Sequence, residues 1–370
     1  MPPNNIYNII DAPYSAVPNN QAAADLNTAA INTALSDAAA TEGLVYAPGY
    51  TWFVSGPLYL QQGSHMRGDG KFSTRIISTS DSAPIFWVVR AAEVIDGIVI
   101  EGLGLDRVPA PSTGANGIEI RSWQNNVGIC SLHDLYVRNQ WHGVHMGPMN
   151  GGTIRHVTIE RSYDDGFRCT GSNGQFVDLS ILKSAGHGFH LLPDSGITDG
   201  GSFSNCTIWA SGDSDFDGIS NNPEKDGFFF DLYPWMLSGV MLNGVTIDGA
   251  GRHGIHIRNA SNASVFGGIV TGTSAAGGDA IRIVRSNNAL TVASITGMMI
   301  QGSYGRGLFV NARCGLTAVG NSFLLSSPNI TSIHLDNPAN AEGYSIYNLS
   351  GNFLTRSGNG QCVIMEASGK

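Results

Sequence analysis

A short unit recurs along the chain: a polar residue, usually followed by glycine, then an apolar, a variable and a second apolar residue. It occurs as NGIEI, HGVHM, DGFRC, HGFHL, DGFFF, HGIHI, DAIRI and RGLFV. Successive units lie 22 to 27 residues apart, except for one step of 39 residues. Alternation with a period of two predicts strands, and a repeat of this length predicts one solenoid coil per unit.

The composition narrows the function classes. The 48 glycines and 13% charged residues are typical of a turn-rich globular chain, and the net charge of −9 argues against a nucleic-acid partner. Five scattered cysteines without CxxC spacing indicate neither a disulfide framework nor a zinc site. Apolar runs are too short for a membrane helix, so we expect no membrane partner. The opening MPPNNIYNII lacks the features of a signal peptide.

The N-terminal part carries a family resemblance. Apolar residues at helical spacing in 25–40 predict one helix, which would cap the stacked core. The segment TAAINTALSDAAATEGLVYAPGYTWFVSGPLYLQQGSHMRGDG (28–70) resembles the entry segment of the pectate-lyase superfamily. The resemblance implies an all-β fold, a right-handed parallel β-helix. We predict an arm and capping helix in 1–40, the β-helix in 41–330, and a looser β-rich segment in 331–370.

Stacking the units on their glycines places equivalent residues in columns. The turn column contains Asn116, His142, Asp165, His187, Asp226, His253, Asp279 and Arg306. A second column, predicted to point outward, contains Glu119, His145, Arg168, His190, Phe229, His256, Arg282 and Phe309. Asp226 and Asp279 can be explained as ordinary turn formers. The six histidines in two neighbouring columns cannot, and they favour a functional groove.

Two of these turns, YDDGF and GHGF, are similar to motifs of the polygalacturonase family. Asp164, Asp165 and His187 match the acid pair and the histidine of those motifs. The preceding QWHG and the following FFFD depart from the family pattern, so the resemblance does not extend to galacturonate specificity.

The spacing of the repeat units also predicts a pair of carboxylates that could act together. Asp165 and Asp226 lie two coils apart, roughly 10 Å from strand spacing. That separation suits an acid and a water-activating base, with His187 between them. The predicted catalytic residues are therefore Asp164, Asp165, His187 and Asp226.

Aromatic and basic side chains on the same coils are candidates for sugar contact, because pyranose rings stack on aromatic faces. The predicted substrate-binding residues are Trp141, His142, His145, Arg168, His190, Trp235 and His256.

The long step contains GDSDFDGISNNPE (212–224), in which Asp213, Asp215, Asp217 and Glu224 fit the spacing D-x-D-x-D-G-x5-E. This pattern resembles an EF-hand loop and predicts a calcium ion as cofactor. Ser220 departs from the apolar residue usual at its position, and the flanks are predicted strands. Asp213 and Glu224 could instead serve as catalytic acids, or the loop could be simply acidic.

These observations predict a polysaccharide-cleaving enzyme, a glycoside hydrolase with paired carboxylates. A polysaccharide lyase or fructotransferase on the same scaffold is the alternative, kept open by Arg168, Arg258 and Arg282. A non-catalytic glycan-binding tailspike is the second alternative. We expect a polysaccharide or oligosaccharide as partner, a homotrimer, and an extracellular or virion-associated location.

Overall fold

The computed structural model describes residues 5–88, 96–121, 128–147, 149, 151–192, 200–231, 239–272, 278–285, 291–302, 305–311, 314–325, 331–337, 346–354 and 362–367. The chain divides into two compact units, Met1–Ser180 (unit 1) and Ile181–Lys370 (unit 2). Each unit is described by itself.

Unit 1 begins with a short 3-10 helix, η1 (Gln21–Ala23), and the single α-helix, α1 (Ala24–Ala40). Its strands are β1 (Ile6–Asn8), β2 (Leu44–Ala47), β3 (Thr51–Val54), β4 (Leu58–Leu60), β5 (His65–Gly68), β6 (Arg75–Ser78), β7 (Phe86–Val88), β8 (Ile98–Arg107), β9 (Ile118–Ile120), β10 (Cys130–Gln140), β11 (Val144–Met146), β12 (Gly152–Ser162), β13 (Phe167–Thr170) and β14 (Ser172–Val177).

Unit 2 consists of strands in its described residues. They are β15 (Ser180–Ser184, of which the first residue belongs to unit 1), β16 (Phe189–Leu192), β17 (Gly200–Ser204), β18 (Thr207–Ser211), β19 (Phe228–Asp231), β20 (Val240–Ala250), β21 (Ile255–Arg258), β22 (Asn262–Thr271), β23 (Ile281–Val284), β24 (Thr291–Thr296), β25 (Met299–Gln301), β26 (Arg306–Asn311), β27 (Cys314–Val319), β28 (Ser322–Leu324), β29 (Thr331–Asn337), β30 (Ile346–Asn348), β31 (Phe353–Leu354) and β32 (Val363–Ala367).

Strands of successive coils pair in parallel, so the predicted all-β fold, a right-handed parallel β-helix, is confirmed. One set of pairs forms what we call the short ladder: β4, β7, β9, β11 and β13 in unit 1, and β16, β19, β21, β23, β26, β29 and β32 in unit 2. The remaining strands pair in the long ladders, for example β20 with β22 and β22 with β24. The short ladders contain the repeat units recognised in the sequence.

Single residues with positive φ bend the strands of the long ladders. In unit 1, Asp134 (φ 49°) and His156 (φ 53°) occupy equivalent positions of β10 and β12. In unit 2, Gly244 (φ 64°) and Gly267 (φ 59°) do so in β20 and β22. Each bend turns the chain within one residue, which the left-handed conformation allows at low cost for glycine and, next best, for Asn and Asp.

Apolar side chains fill the interior of each unit. Phe189, Phe203, Phe228 and Phe230 are fully buried in unit 2, where the rings of Phe189 and Phe203 lie 4.8 Å apart. The predicted helix is confirmed as α1, whose buried Ile31 and Leu35 face the first coils. Its Asn27 and Asn32 side chains donate to the carbonyls of Phe53 and Pro57, 3.0 Å away in both cases.

Parallel pairing extends past both predicted domain boundaries. Strand β1, which precedes the helix, pairs with β2, which follows it. Strands β29 and β32, which both lie beyond residue 330, pair with each other. The division at 40 and 330 stays a prediction. None of the described helices combines the length and apolar character needed to cross a lipid bilayer.

Candidate functional site

The short ladder of unit 2 places one side chain per coil in an outer column. His190 pairs in register with Phe229, Phe229 with His256, His256 with Arg282, Arg282 with Phe309, and Phe309 with His334. The rings of His190 and Phe229 stack at 5.0 Å, and those of Phe229 and His256 at 4.8 Å. The second column that the sequence predicts is therefore present in this unit.

These outer side chains are nevertheless nearly covered. His256 is 7% exposed, Phe229 8% and His190 9%, although strand alternation directs them away from the core. The sequence pattern predicts their direction and misses their burial. A nearly dry environment strengthens every electrostatic interaction along the column.

The turn column of unit 2 is linked from coil to coil by hydrogen bonds. The backbone N–H of Asp226 donates to His187 Nδ1 at 2.9 Å, and the N–H of His253 donates to Asp226 Oδ1 at 3.0 Å. The N–H of Asp279 then donates to His253 Nδ1 at 2.8 Å. Each side chain thus accepts the amide proton of its equivalent in the next coil.

Asp226 is held as an ionised carboxylate. It is fully buried, and Arg252 donates to both of its oxygens, from Nε at 2.9 Å and from Nη2 at 2.7 Å. Burial alone would raise the pKa of Asp226, but hydrogen bonds from Arg252 and His256 outweigh it and hold the pKa well below its usual range. This carboxylate has no proton to donate, so within the predicted pair with Asp165 it could serve only as the base.

The hydrogen bonds fix the tautomers of three histidines. Because His187 Nδ1 and His253 Nδ1 accept amide protons, both rings are neutral and carry their proton on Nε2. His187 Nδ1 lies 4.0 Å from Asp226 Oδ2, but an acceptor nitrogen forms no ion pair there. His256 is the opposite case, since its Nδ1 lies 3.1 Å from the ionised Asp226 Oδ2 and donates to it. Its Nε2 is therefore a lone-pair acceptor.

His256 Nε2 is buried and has no hydrogen-bond partner in the described structure. Burial lowers the pKa of His256, against the opposing effect of Asp226. Burial likewise lowers the pKa of His253 to about 2. The two rings, whose centroids lie 4.9 Å apart, thus present a neutral base and a neutral N–H donor at neutral pH.

Asp279 repeats the arrangement of Asp226 in a later coil. Arg306 donates to its two oxygens at 2.8 and 3.3 Å, and Arg282 Nη1 donates at 2.9 Å. The guanidinium carbons of Arg282 and Arg306 also lie 4.6 and 3.7 Å from the centroid of the Phe309 ring. The interpretation of Asp279 as an ordinary turn former is incomplete, because its carboxylate holds two arginines.

Unit 1 has columns of its own. Asn116 Oδ1 accepts the N–H of His142 at 3.1 Å, and the rings of His142 and His145 lie 5.2 Å apart. Burial, His142 and nearby arginines lower the pKa of His145 to about 2. Arg168 Nη1 lies 3.5 Å from Asp165 Oδ2.

The predicted catalytic residues fall in different units. Asp165 is buried and Asp164 half-buried in unit 1, whereas His187 and Asp226 belong to unit 2. A joint row of these four residues stays a prediction. The same holds for the predicted sugar contacts of Trp141, which is half-buried, while Trp235 lies outside the described residues.

Asp226, His253 and His256 place ligand-type atoms within 4.8 Å of one another, yet they do not fit a metal ion. Both Asp226 oxygens accept from Arg252, and His253 carries its proton on the nitrogen that would have to bind the metal.

The loop 212–224 also brings acidic oxygens together. Asp213, Asp215 and Asp217 have carboxylate oxygens within 4.8 Å of one another, and Asp213 accepts the N–H groups of Asp217 and Gly218 at 3.2 and 2.8 Å. Burial and the neighbouring acids raise the pKa of Asp213. Glu224 is not part of this close group of described residues. The alternative role of Asp213 as a catalytic acid is disfavoured because the side chain is fully buried.

Arg252 is a site residue that the sequence columns missed. It precedes the turn column by one position, so alignment on the glycines left it out. The available signal was an arginine directly before HG in the coil that follows DGFFF.

Comparisons with known proteins identify the fold. No family model matches the chain, and no curated protein sequence matches it. Among solved structures, the A-module of the Azotobacter vinelandii mannuronan C-5 epimerase AlgE4 matches with a TM-score of 0.69 at 16% identity, covering 98% of this chain and 100% of the module. That enzyme acts on mannuronan.

Two other kinds of protein share the architecture. The catalytic unit of a GH87 alpha-1,3-glucanase from Streptomyces thermodiastaticus matches with a TM-score of 0.64 at 14% identity, covering 95% of this chain and 69% of that one. The Dettilon tailspike protein matches with a TM-score of 0.58 at 12% identity, covering 98% and 69%. The neighbours are right-handed parallel β-helix proteins, and they confirm the fold that the sequence resemblance implied.

Proposed function

We propose that the protein is a carbohydrate-active enzyme that acts on an acidic polysaccharide at the short ladder of unit 2, by proton abstraction. The observation that carries the proposal is His256, whose Nδ1 donates to a permanently ionised Asp226 and whose Nε2 is left as a base without a partner in the described structure. The mannuronan epimerase, the glucanase and the tailspike support a glycan ligand through the shared architecture.

Charge around the base favours an anionic sugar. Arg252, Arg282 and Arg306 outnumber the carboxylates of Asp226 and Asp279 by one, in a chain with net charge −9. Their side chains are 34%, 26% and 28% exposed, so a ligand can contact these guanidinium groups. Arginine binds carboxylates in a planar, two-point fashion, which suits a uronate.

The chemistry follows from these groups. A uronate carboxylate bound by arginine makes the C5 proton more acidic, and His256 Nε2 can accept that proton. The carbanion then expels the 4-O-linked sugar, which forms the C4–C5 double bond of a lyase product. The His256 imidazolium formed in the first step returns its proton to the leaving oxygen, while a neutral His N–H such as that of His253 can donate a hydrogen bond. Hydrolysis by paired carboxylates is less well supported, because Asp226 and Asp279 are tied up in ion pairs.

Access is part of the proposal. Because His256 is only 7% exposed, the substrate must displace a neighbouring side chain to reach Nε2. We expect binding to shift the ring of Phe229 or the guanidinium of Arg252.

The test is turnover of polymannuronate, polygalacturonate and neutral glucans, followed by ultraviolet absorbance of the unsaturated product and by proton NMR of the sugar rings. We expect a polyuronate to be the substrate. His256→Gln should lower turnover by about 10² to 10⁴-fold, the usual contribution of one acid–base group. His334→Gln, in the same column but outside the proposed machinery, should leave turnover unchanged.

Cleavage of a neutral glucan without an unsaturated product would restore the hydrolytic prediction. Saturated uronates with inverted C5 protons would indicate epimerisation by the same base. Equal activity of the two histidine variants would contradict the role of His256.

We further propose that the loop 212–224 binds calcium. Three close carboxylates, one of them buried and surrounded by acidic neighbours, fit an ion with oxygen ligands. The homotrimer and the extracellular or virion-associated location stay predictions that the tailspike likeness supports only as architecture.

A further inference from the structure

A polar cleft lies in unit 1, on the outer face of the long ladders. It has a volume of about 440 Å³, within the range of small-molecule sites, and Arg67, Asp69, Glu101, His133 and Asp134 line it together with three glycines. Arg67 pairs in register with Glu101, and Glu101 with His133, so one face of the cleft is a column of three consecutive coils.

Glycines explain why the cleft is open. Gly102 has a φ of +68° at the bend of β8, where the next coils have Asp134 and His156. A Cβ atom on Gly68 would lie 2.4 Å from the carbonyl oxygen of Gly102, so the two backbones touch and leave no room for side chains. The floor of the cleft is therefore bare backbone, and the space that side chains fill in later coils stays empty.

The walls of the cleft contain hydrogen-bonding groups that are not fully engaged by other described residues. One Glu101 oxygen is 3.1 Å from His65 Nε2, and the carboxylate remains 30% exposed. His133 Nε2 is buried and has no hydrogen-bond partner among the described residues. Asp69 is different, because Tyr46 and the N–H of Gly49 already donate to its two oxygens.

The charge of the cleft selects the class of ligand. Three carboxylates face the guanidinium of Arg67, and Lys71 offsets Asp134 from 3.7 Å away. One negative charge remains in excess, which disfavours an anion. Among the described residues, the cleft side chains are not among the groups whose ligand atoms come within 4.8 Å of one another, which disfavours a metal ion. Carboxylates and a histidine at wider spacing suit the vicinal hydroxyls of a sugar ring, which both donate and accept hydrogen bonds.

We propose that this cleft is a binding site for a neutral sugar residue, with Glu101 and His133 as its principal hydrogen-bonding groups. The site belongs to unit 1 and does not depend on the function proposed for unit 2. Its ligand preference is opposite to that of the arginine-rich column, since uronates should be excluded here.

Saturation-transfer NMR on the full chain tests the proposal, with methyl glycosides of glucose, galactose and mannose as probes and glucuronate as the anionic comparison. We expect at least one neutral glycoside, and not glucuronate, to receive saturation. Glu101→Gln and His133→Ala should each weaken that binding by about tenfold or more, because a hydrogen bond to a charged or buried group is lost.

Glu160→Gln is the matched control. Glu160 is a half-buried acid on β12 of the same unit, with a hydrogen bond from Tyr136 and Arg138 Nε at 3.9 Å, and it lies outside the cleft. Binding should be unchanged in this variant, and thermal melting should show that all three variants fold. No transfer to any neutral glycoside, equal loss in the control, or titration of the cleft by calcium chloride instead of sugar would each overturn the proposal.

A failure here is distinguishable from a failure of the proposed function. The cleft is tested by binding of neutral glycosides, whereas the column of unit 2 is tested by turnover of polyuronates. Glu101→Gln should leave polyuronate turnover on short chains unchanged.

Discussion

The two kinds of ladder in unit 2 reverse the usual distribution of polarity. The outer side chains of the short ladder are histidine, arginine and phenylalanine, and His256 is only 7% exposed. The outer side chains of the long ladders include Met241, Val292 and Met299, which are 40% to 49% exposed. Exposed apolar residues need no explanation singly, but buried charges always cost free energy. The ion pairs of the short ladder offset this cost, and the proposed function gives these buried groups a role in the chemistry.

The comparison is tested most strongly by removing one partner of a buried ion pair. Arg252→Ala leaves the buried Asp226 carboxylate without its two-point donor, so we expect a loss of about 3–5 kcal/mol in the free energy of unfolding. Urea denaturation measures this loss. Arg258→Ala is the control in the same ladder, because Arg258 and Asp231 are 36% and 21% exposed, and it should cost about 1 kcal/mol or less. Equal losses would show that burial does not separate the two pairs.

The effect of calcium on stability tests the loop that joins the long-ladder strand β18 to the short-ladder strand β19. If Asp213, Asp215 and Asp217 bind the ion, calcium at a hundred times its Kd should stabilise metal-stripped protein by about 2.7 kcal/mol. Differential scanning calorimetry with and without chelator measures the shift. Asp215→Asn should abolish it, whereas Glu224→Gln, outside the close group, should reduce it little. A melting temperature that is insensitive to calcium would leave the loop simply acidic.

Acidification should destabilise the short ladder specifically. The pKa of His253 is lowered from 6.5 to about 2, so below pH 6.5 the unfolded chain takes up a proton that the folded chain does not. Stability is therefore lost as pH falls from 6.5 towards 2, by about 2 kcal/mol at pH 5 for this residue. Asp226, whose pKa is also lowered, contributes in the same sense, but only below the ordinary pKa of a carboxyl, outside this window. His253→Gln should flatten the dependence of the unfolding free energy between pH 7.5 and 5, and an unchanged slope would contradict the neutral tautomer.

The smallest effect is expected on the long ladder. Met299→Ser replaces a side chain that is 40% exposed, so the free energy of unfolding should change by no more than about 0.5 kcal/mol. Chemical denaturation beside the Arg252 variant measures it. A loss comparable to that of Arg252→Ala would mean that this face is covered in solution, as the predicted homotrimer would allow.

The sequence predicts the fold and the two columns because the pattern around each glycine follows from strand alternation. It also predicts α1 from helical spacing. It does not predict that His187 and His253 accept amide protons while His256 donates to Asp226, because tautomers depend on atoms that only stacking brings together. Arg252 and Trp235 show two further limits. The first lies one position outside the aligned column, and the second lies outside the described residues.

The sequence also contains a signal for the bends in the long ladders, because the bend residues recur at the repeat spacing. Asp134 and His156 are one repeat apart, as are Gly244 and Gly267. An alignment on bend residues as well as on repeat glycines would have placed both ends of each long strand. The cleft beside Gly102 could then have been anticipated from the missing side chain at that bend.

The chain of hydrogen bonds in the turn column gives unit 2 a direction of growth. His187 Nδ1 accepts a hydrogen bond from the amide of Asp226, and His253 Nδ1 accepts one from the amide of Asp279, in both cases from the coil that follows. A partly folded stack therefore ends in an acceptor that the next coil has yet to satisfy, and at that moment the exposed imidazole can take a proton from water. In a solenoid that folds by propagation, mild acid would then slow growth at the histidine coils, in addition to destabilising the finished ones.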